Sequence, residues 1–205
     1  MVAQLNINPV ATTNAAGTFA ITLDGFMQGM AMDDPSMRTQ LTGGQLDTAE
    51  AVPMWGGCAI VEMLAAGEPQ ATKPIVKHAS SAALFTGFSV FNQDHAMINT
   101  PQSQVPLALP GMLVNLYRFG SLARIPMMAD PALAATLPGL PIAPSALYWD
   151  PVNYWISATA TGGYALPVAT KIIGWNAGNS MTVAFNAATG FATWTRNGNC
   201  VLLQI

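Results

Sequence analysis

Between Asp94 and Arg118, and again between Lys171 and Arg196, the chain carries no Asp, Glu, Lys or Arg at all. Such long uncharged intervals raise the question of a membrane span, which needs about 20 consecutive, mainly apolar residues. The first interval is broken by Asn99, Pro101, Gln102, Gln104, Pro106 and Pro110, and the second by Asn176, Asn179, Asn186 and several Gly and Thr. A helix in lipid must satisfy its backbone internally, and repeated prolines remove donors that hydrocarbon cannot replace. Neither interval reads as a spanning helix, and no membrane partner is expected.

The same scarcity of charge holds for the whole chain of 205 residues: 8% are charged and 51% hydrophobic. An ordinary soluble domain has roughly 25% charged residues. A conventional charged surface cannot be built from this sequence, so much of the surface is expected to be uncharged or covered by other protein. The seven basic residues, Arg38, Lys73, Lys77, Arg118, Arg124, Lys171 and Arg196, are scattered, and the net charge is −3. Without a basic patch for phosphate, nucleic acid is not an expected partner. Cys58 and Cys200 are too few for a disulfide framework and lack metal-site spacing, so they are expected to be buried, reduced thiols. Met1 to Ala20 has neither a basic n-region nor a compact apolar h-region, so no secretory signal is expected there.

The first 70 residues differ from the rest. Apolar residues come in short bursts punctuated by Gly17, Gly25, Gly29, Gly43, Gly44, Gly56, Gly57 and Gly67, with little sustained periodicity. A segment like this is expected to be an extended N-terminal arm, residues 1–70, lying on partner subunits. Its apolar side chains Phe19, Ile21, Phe26, Met27, Met30, Met37, Met54 and Trp55 are the expected contacts with those partner subunits. Methionine suits such a role because its flexible thioether fills irregular contacts. One short helix is expected within the arm, capped by Asp34, opened by Pro35 and stopped by Gly43-Gly44.

From residue 71 to 205 the pattern becomes short apolar and aromatic runs separated by turn residues. That spacing predicts an all-β domain, an antiparallel β-sandwich or barrel with a jelly roll as the first guess. The expected strands are 83–91, 112–117, 122–128, 153–158, 168–175, 180–186, 191–196 and 199–205. A second short helix is expected after Asp130-Pro131, ending at Pro138-Gly139. Asn197-Gly198 lies between two strand-like runs, and both residues tolerate positive φ, which predicts a C-terminal hairpin turn there.

Residues that could carry chemistry are few. Asp94-His95 joins a carboxylate to an imidazole, but no nucleophile motif accompanies it, and neighbours in a strand point to opposite faces. His78, the other histidine, stands beside Ser80 and Ser81 in no hydrolase or metal spacing, and Asp33-Asp34 reads as a helix cap and not as a calcium loop. The glycine pairs 43/44, 56/57 and 162/163 lack the Lys-Ser or Lys-Thr of a phosphate loop and are expected to be turns. Tyr148-Trp149-Asp150 and Tyr154-Trp155 could stack sugars, although Trp149, Trp155, Trp175 and Trp194 are better expected as core or interface anchors. No catalytic residue, cofactor or metal is expected.

Several stretches resemble the decoration or structural cement proteins of tailed-bacteriophage capsids. These are Asp33 to Gly44, Val52-Pro53-Met54-Trp55-Gly56-Gly57, Thr100 to Leu107, Tyr117 to Pro126 and Gly190-Phe191-Ala192-Thr193-Trp194. The resemblance implies a β-rich domain on the outer surface of the virion, bound to the major capsid protein and to neighbouring copies of itself as a homo-oligomer. It implies assembly in the host cytoplasm and no enzymatic activity. A carbohydrate-binding module of a phage tail or fibre is the alternative expectation.

Overall fold

The computed structural model describes residues 25–32, 38–64, 73–81, 84–91, 105–139 and 146–205. In chain order these form a single 3-10 turn at Arg38–Gln40, then β1 (Thr42–Leu46), β2 (Ala59–Met63), β3 (Ile75–His78), β4 (Gly87–Val90), β5 (Leu113–Arg118), β6 (Arg124–Met128), α1 (Pro131–Thr136), β7 (Tyr148–Asp150), β8 (Trp155–Ser157), β9 (Tyr164–Ala165), β10 (Lys171–Asn186) and β11 (Phe191–Gln204). The all-β expectation holds: among the described residues helix is confined to one six-residue segment, the 3-10 turn at Arg38–Gln40 and a 3-10 position at Leu84.

β1, β3, β2, β4 and β5 close into a five-stranded barrel, in that order around its wall. The pairs are antiparallel except β1 with β3, where Gln45 and Leu46 lie parallel to Ile75 and Val76. β10, β11 and β6 form one three-stranded sheet, and β8, β7 and β9 another. Sheets of five, three and three strands differ from the double-sheet, eight-stranded plan of a jelly roll.

Side chains alternate across a strand, and here both faces of the wall are used. Ile60, Val76, Val114 and Leu116 enter a core with Leu46, Met54 and Trp55. Their neighbours Ala59 and Tyr117 enter a second core, where Phe88 meets Ile125 and Met127 of β6, Val201 and Leu203 of β11, and Trp149 of β7. β4 is consequently buried along its whole length. Fully burying an aliphatic or Phe side chain is worth roughly 1.5–3 kcal/mol, so a wall buried on both faces is the main stabilising element.

Residues 42–63, expected in the N-terminal arm, supply two strands of this barrel. The arm boundary at residue 70 therefore does not describe them: the glycines that resemble linker punctuation lie where backbones meet closely. Gly43 and Gly44 form no turn and stop no helix, since they pair with Asn115 and Val114 inside the β1–β5 ladder. The cap at Asp34-Pro35 lies outside the described residues, although the 3-10 turn at Arg38–Gln40 falls within the expected helix.

Residues 25–32 are a strap joining the sheets. Gln28 N donates to Met181 O at 2.9 Å, Gly29 N to Pro126 O at 2.7 Å and Met32 N to Arg124 O at 3.1 Å, while Phe91 N donates to Gly29 O at 2.9 Å. The strap covers backbone on β10, β6 and the end of β4, which otherwise would present unpaired strand edges.

At the C-terminus the expected turn is displaced. β10 and β11 are one long hairpin whose reversal lies at 187–190, with Gly190 N donating to Asn186 O at 2.8 Å. Asn197-Gly198 lies inside β11 as a bulge: Ser180 pairs with Gly198 and Thr182 with Thr195, leaving Arg196 and Asn197 opposite Met181 alone. Asn197 has φ +62°, so the positive-φ signal in the sequence is real but serves a bulge. The second helix forms as expected, with Asp130 Oδ1 accepting from Ala132 N at 2.9 Å and Pro131 in the first turn.

Candidate functional surface and buried polar cluster

Phe19, Ile21 and Met37 lie outside the described residues. Phe26 and Met27 are half-buried on the strap, and Met30 is 44% exposed. Met54 and Trp55 are both 0% exposed, which removes them from the expected contact surface. Met54 is pinned by a two-way backbone bridge with Ala108, and Trp55 stacks on Phe185 at 5.0 Å and meets Tyr154 edge-on at 4.9 Å. Both are core residues whose apolar character looked like an arm's only because the sequence around them is rich in Gly and Pro.

The exposed apolar side chains lie elsewhere. Met30 and Met32 stand at the end of the strap, where Met32 N donates to Arg124 O, and Leu122, two residues before Arg124, is 56% exposed. Met63, Leu64, Leu84 and Leu113 are exposed on the barrel, Val152 and Val168 in turns, and Trp175 and Phe191 on the long hairpin. Composition signals such a surface, but strand assignment alone does not say which apolar residues face outward.

A buried polar cluster lies where β3 and β4 of the barrel meet the turn at Gly56-Gly57. Ser89 Oγ donates to Trp55 O at 2.6 Å and accepts from Cys58 N at 2.9 Å, holding the turn at Gly56-Gly57 to β4. Next to it, His78 N donates to Glu50 Oε1 at 3.2 Å, and the His78 ring lies 6.3 Å from the rings of both Trp55 and Tyr154. Burial holds the imidazole below its ordinary pKa, against the attraction of Glu50 and bonds to the carbonyls of Pro53 and Val52. His78 Nε2 and Trp55 Nε1 are buried without a hydrogen-bond partner. Tyr154 has φ +57°, a left-handed conformation that a bulky residue rarely adopts, and burial pushes its phenol up. The sequence places His78 beside two serines and gives no sign of this cluster, because its members come from four separate stretches, 50–58, 78, 89 and 154.

Asp94-His95 and Asp33-Asp34 lie outside the described residues, and among the described residues no group of three or more His, Cys, Asp or Glu could hold a metal ion. Both cysteines are buried and free, as expected. Trp149 is 2% exposed and packs edge-on against Phe88 at 5.6 Å, so it offers no face to a sugar. Trp155 and Trp194 are half-buried, the latter meeting Phe91 at 6.1 Å, and Trp175 is the most exposed tryptophan at 43%. No helix among the described residues is long and apolar enough to cross a membrane. No family model, no curated protein and no solved structure matches the chain.

Proposed function

We propose that this chain is a structural protein of a tailed-phage head, a decoration or cement protein that binds the outer surface of the major capsid shell and bridges neighbouring subunits. The observation that carries the reading is the exposure of large apolar side chains, Met30, Met32, Leu64, Leu84, Leu122 and Trp175 among them, on a chain with only 8% charged residues. A surface of that kind is stabilised when other protein covers it, at about 25 cal/mol per Å² of apolar area removed from water. On this reading the hairpin sheet and the barrel wall are the two layers of a sandwich, with the strap bonded to both outer strands of the hairpin sheet, β10 and β6. Residues 1–24 and the exposed methionines of the strap engage capsid subunits or adjacent copies. Contacts repeated over a symmetric shell hold one another in place, so weak individual contacts add up. The carbohydrate-binding alternative loses its main support with the burial of Trp149.

The test is occupancy on purified heads. A chain lacking residues 1–24 and a Met30→Ser, Met32→Ser chain should fold, decorate heads poorly and leave them less resistant to heat. If both decorate and protect heads as well as the full chain, the strap and the segment before it are not the cementing elements; if the full chain fails to bind heads, the capsid reading itself is wrong.

A further inference from the structure

We propose that His78 is a proton-operated latch: protonation at Nε2 admits water to the junction of Trp55, Tyr154 and Phe185 and undocks the turn 151–154 from the barrel. The proposal is independent of the capsid reading. At this junction three parts of the fold meet. His78 ends β3 of the barrel, Tyr154 sits in the turn between β7 and β8, and Phe185 comes from the long hairpin. Tyr154 lies 4.9 Å from Trp55, 6.3 Å from His78 and 6.4 Å from Phe185.

The backbone of Pro53 and Val52 beside the His78 ring favours its proton, though less than burial opposes it. The ring nitrogen Nε2 is buried with no hydrogen-bond partner. A neutral imidazole tolerates that position at the cost of one unused lone pair. An imidazolium there would carry an N–H and a positive charge into apolar surroundings without an acceptor, which is far more costly. The titratable groups around it are Glu50 in the turn after β1, Cys58 before β2 and the Tyr154 phenol, with the Lys77–Asp47 pair on the neighbouring residues. Glu50 alone among them favours the proton, and its carboxylate is held at the His78 backbone.

The element that yields is the turn carrying Tyr154. Its own bonds stay intact: Asp150 Oδ1 accepts from Val152 N at 2.8 Å and Asn153 N at 3.0 Å, and Tyr154 N donates to Asp150 O at 2.9 Å. The left-handed backbone at Tyr154 is a conformation that persists only while its surroundings enforce it. The unfolded or undocked His78 binds a proton more readily than the docked one. The docked form therefore loses stability as pH falls through the ordinary value of 6.5 toward the depressed docked value.

Hydrogen exchange of the full chain, corrected for intrinsic rates, tests this. Between about pH 7.5 and pH 5, protection across residues 150–156 should fall, and the loss should set in as pH drops through the ordinary imidazole value of 6.5. His78→Phe should abolish that loss. Glu50→Gln, which removes the charge favouring the proton, should move it to lower pH, and this second variant keeps the test open if His78→Phe does not fold. Unchanged protection at 150–156 across the range overturns the latch. So does an equal loss in His78→Phe, or a transition that Glu50→Gln leaves where it was.

Discussion

A Cβ built on Gly29 would lie 2.0 Å from the carbonyl carbon of Gly56, and one built on Gly56 would lie 2.7 Å from the carbonyl oxygen of Gly29. The strap and the barrel thus touch backbone to backbone, and Gly29 also has φ +73°. Gly29→Ala should destabilise the protein by about 3 kcal/mol or more, from overpacking that neither backbone can relieve together with left-handed strain. Gly139, with φ +82° and nothing within 4 Å of its would-be Cβ, is the control. Its alanine variant carries the conformational cost alone, about 1 kcal/mol. Urea unfolding of the two variants checks the difference, and equal losses would show that the close approach is not limiting.

Ser89 supports the same region from beneath. Its hydroxyl is fully buried and serves both Trp55 O and Cys58 N. Ser89→Ala leaves the hydroxyl's share of those buried backbone bonds unmade, which costs about 1–3 kcal/mol. The loss should appear in the urea midpoint with an unchanged slope, since the same surface is exposed on unfolding.

Asp130 works at a helix end. It accepts from Ala132 N and from Ser157 Oγ at 3.0 Å, tying α1 to β8. Asp130→Ala should cost about 1 kcal/mol, and Asp130→Asn, which keeps an acceptor, only part of that. Thermal unfolding of the two variants beside the parent chain measures it.

What was legible in the sequence follows from the range of each physical signal. Asp130-Pro131 announces its helix because cap, first-turn proline and apolar run lie within a few residues. The runs 112–117 and 122–128 announce β5 and β6 because strand character is also local. Asn197-Gly198 marks positive φ correctly, yet a turn and a bulge demand the same backbone tolerance, and only the pairing of β11 with β10 distinguishes them. Residues 42–63 read as arm because a barrel strand carrying Gly43 and Gly44 has little periodicity of its own; β3 and β5 complete it, and they lie 29 or more residues away. Trp55, His78, Tyr154 and Phe185 meet through tertiary packing alone, which no spacing in the sequence encodes.

The two thiols give a measure of opening in the interior. Burial pushes both Cys58 and Cys200 up to about 12, and bonds from the Trp55 backbone and Ser89 to the first, and Ser180 to the second, only partly oppose it. The thiolate is the reactive species, so at about pH 8 the folded chain should react with a thiol reagent far more slowly than an exposed cysteine, and both sites should react after denaturation. Neither thiol should then need a reductant to stay intact. Cys58 is flanked by the Gly56-Gly57 turn beside Trp55, whereas Cys200 pairs with both Met128 and Asn176 in the centre of a three-stranded sheet. Local openings are less costly in a turn than in a central strand. Cys58, observed in a Cys200→Ala chain, should therefore label faster under native conditions than Cys200 observed in a Cys58→Ala chain. Labelling that is rapid at both sites without denaturant, or fastest at Cys200, would mean that the hairpin sheet and not the Trp55 turn is the weak part of this fold.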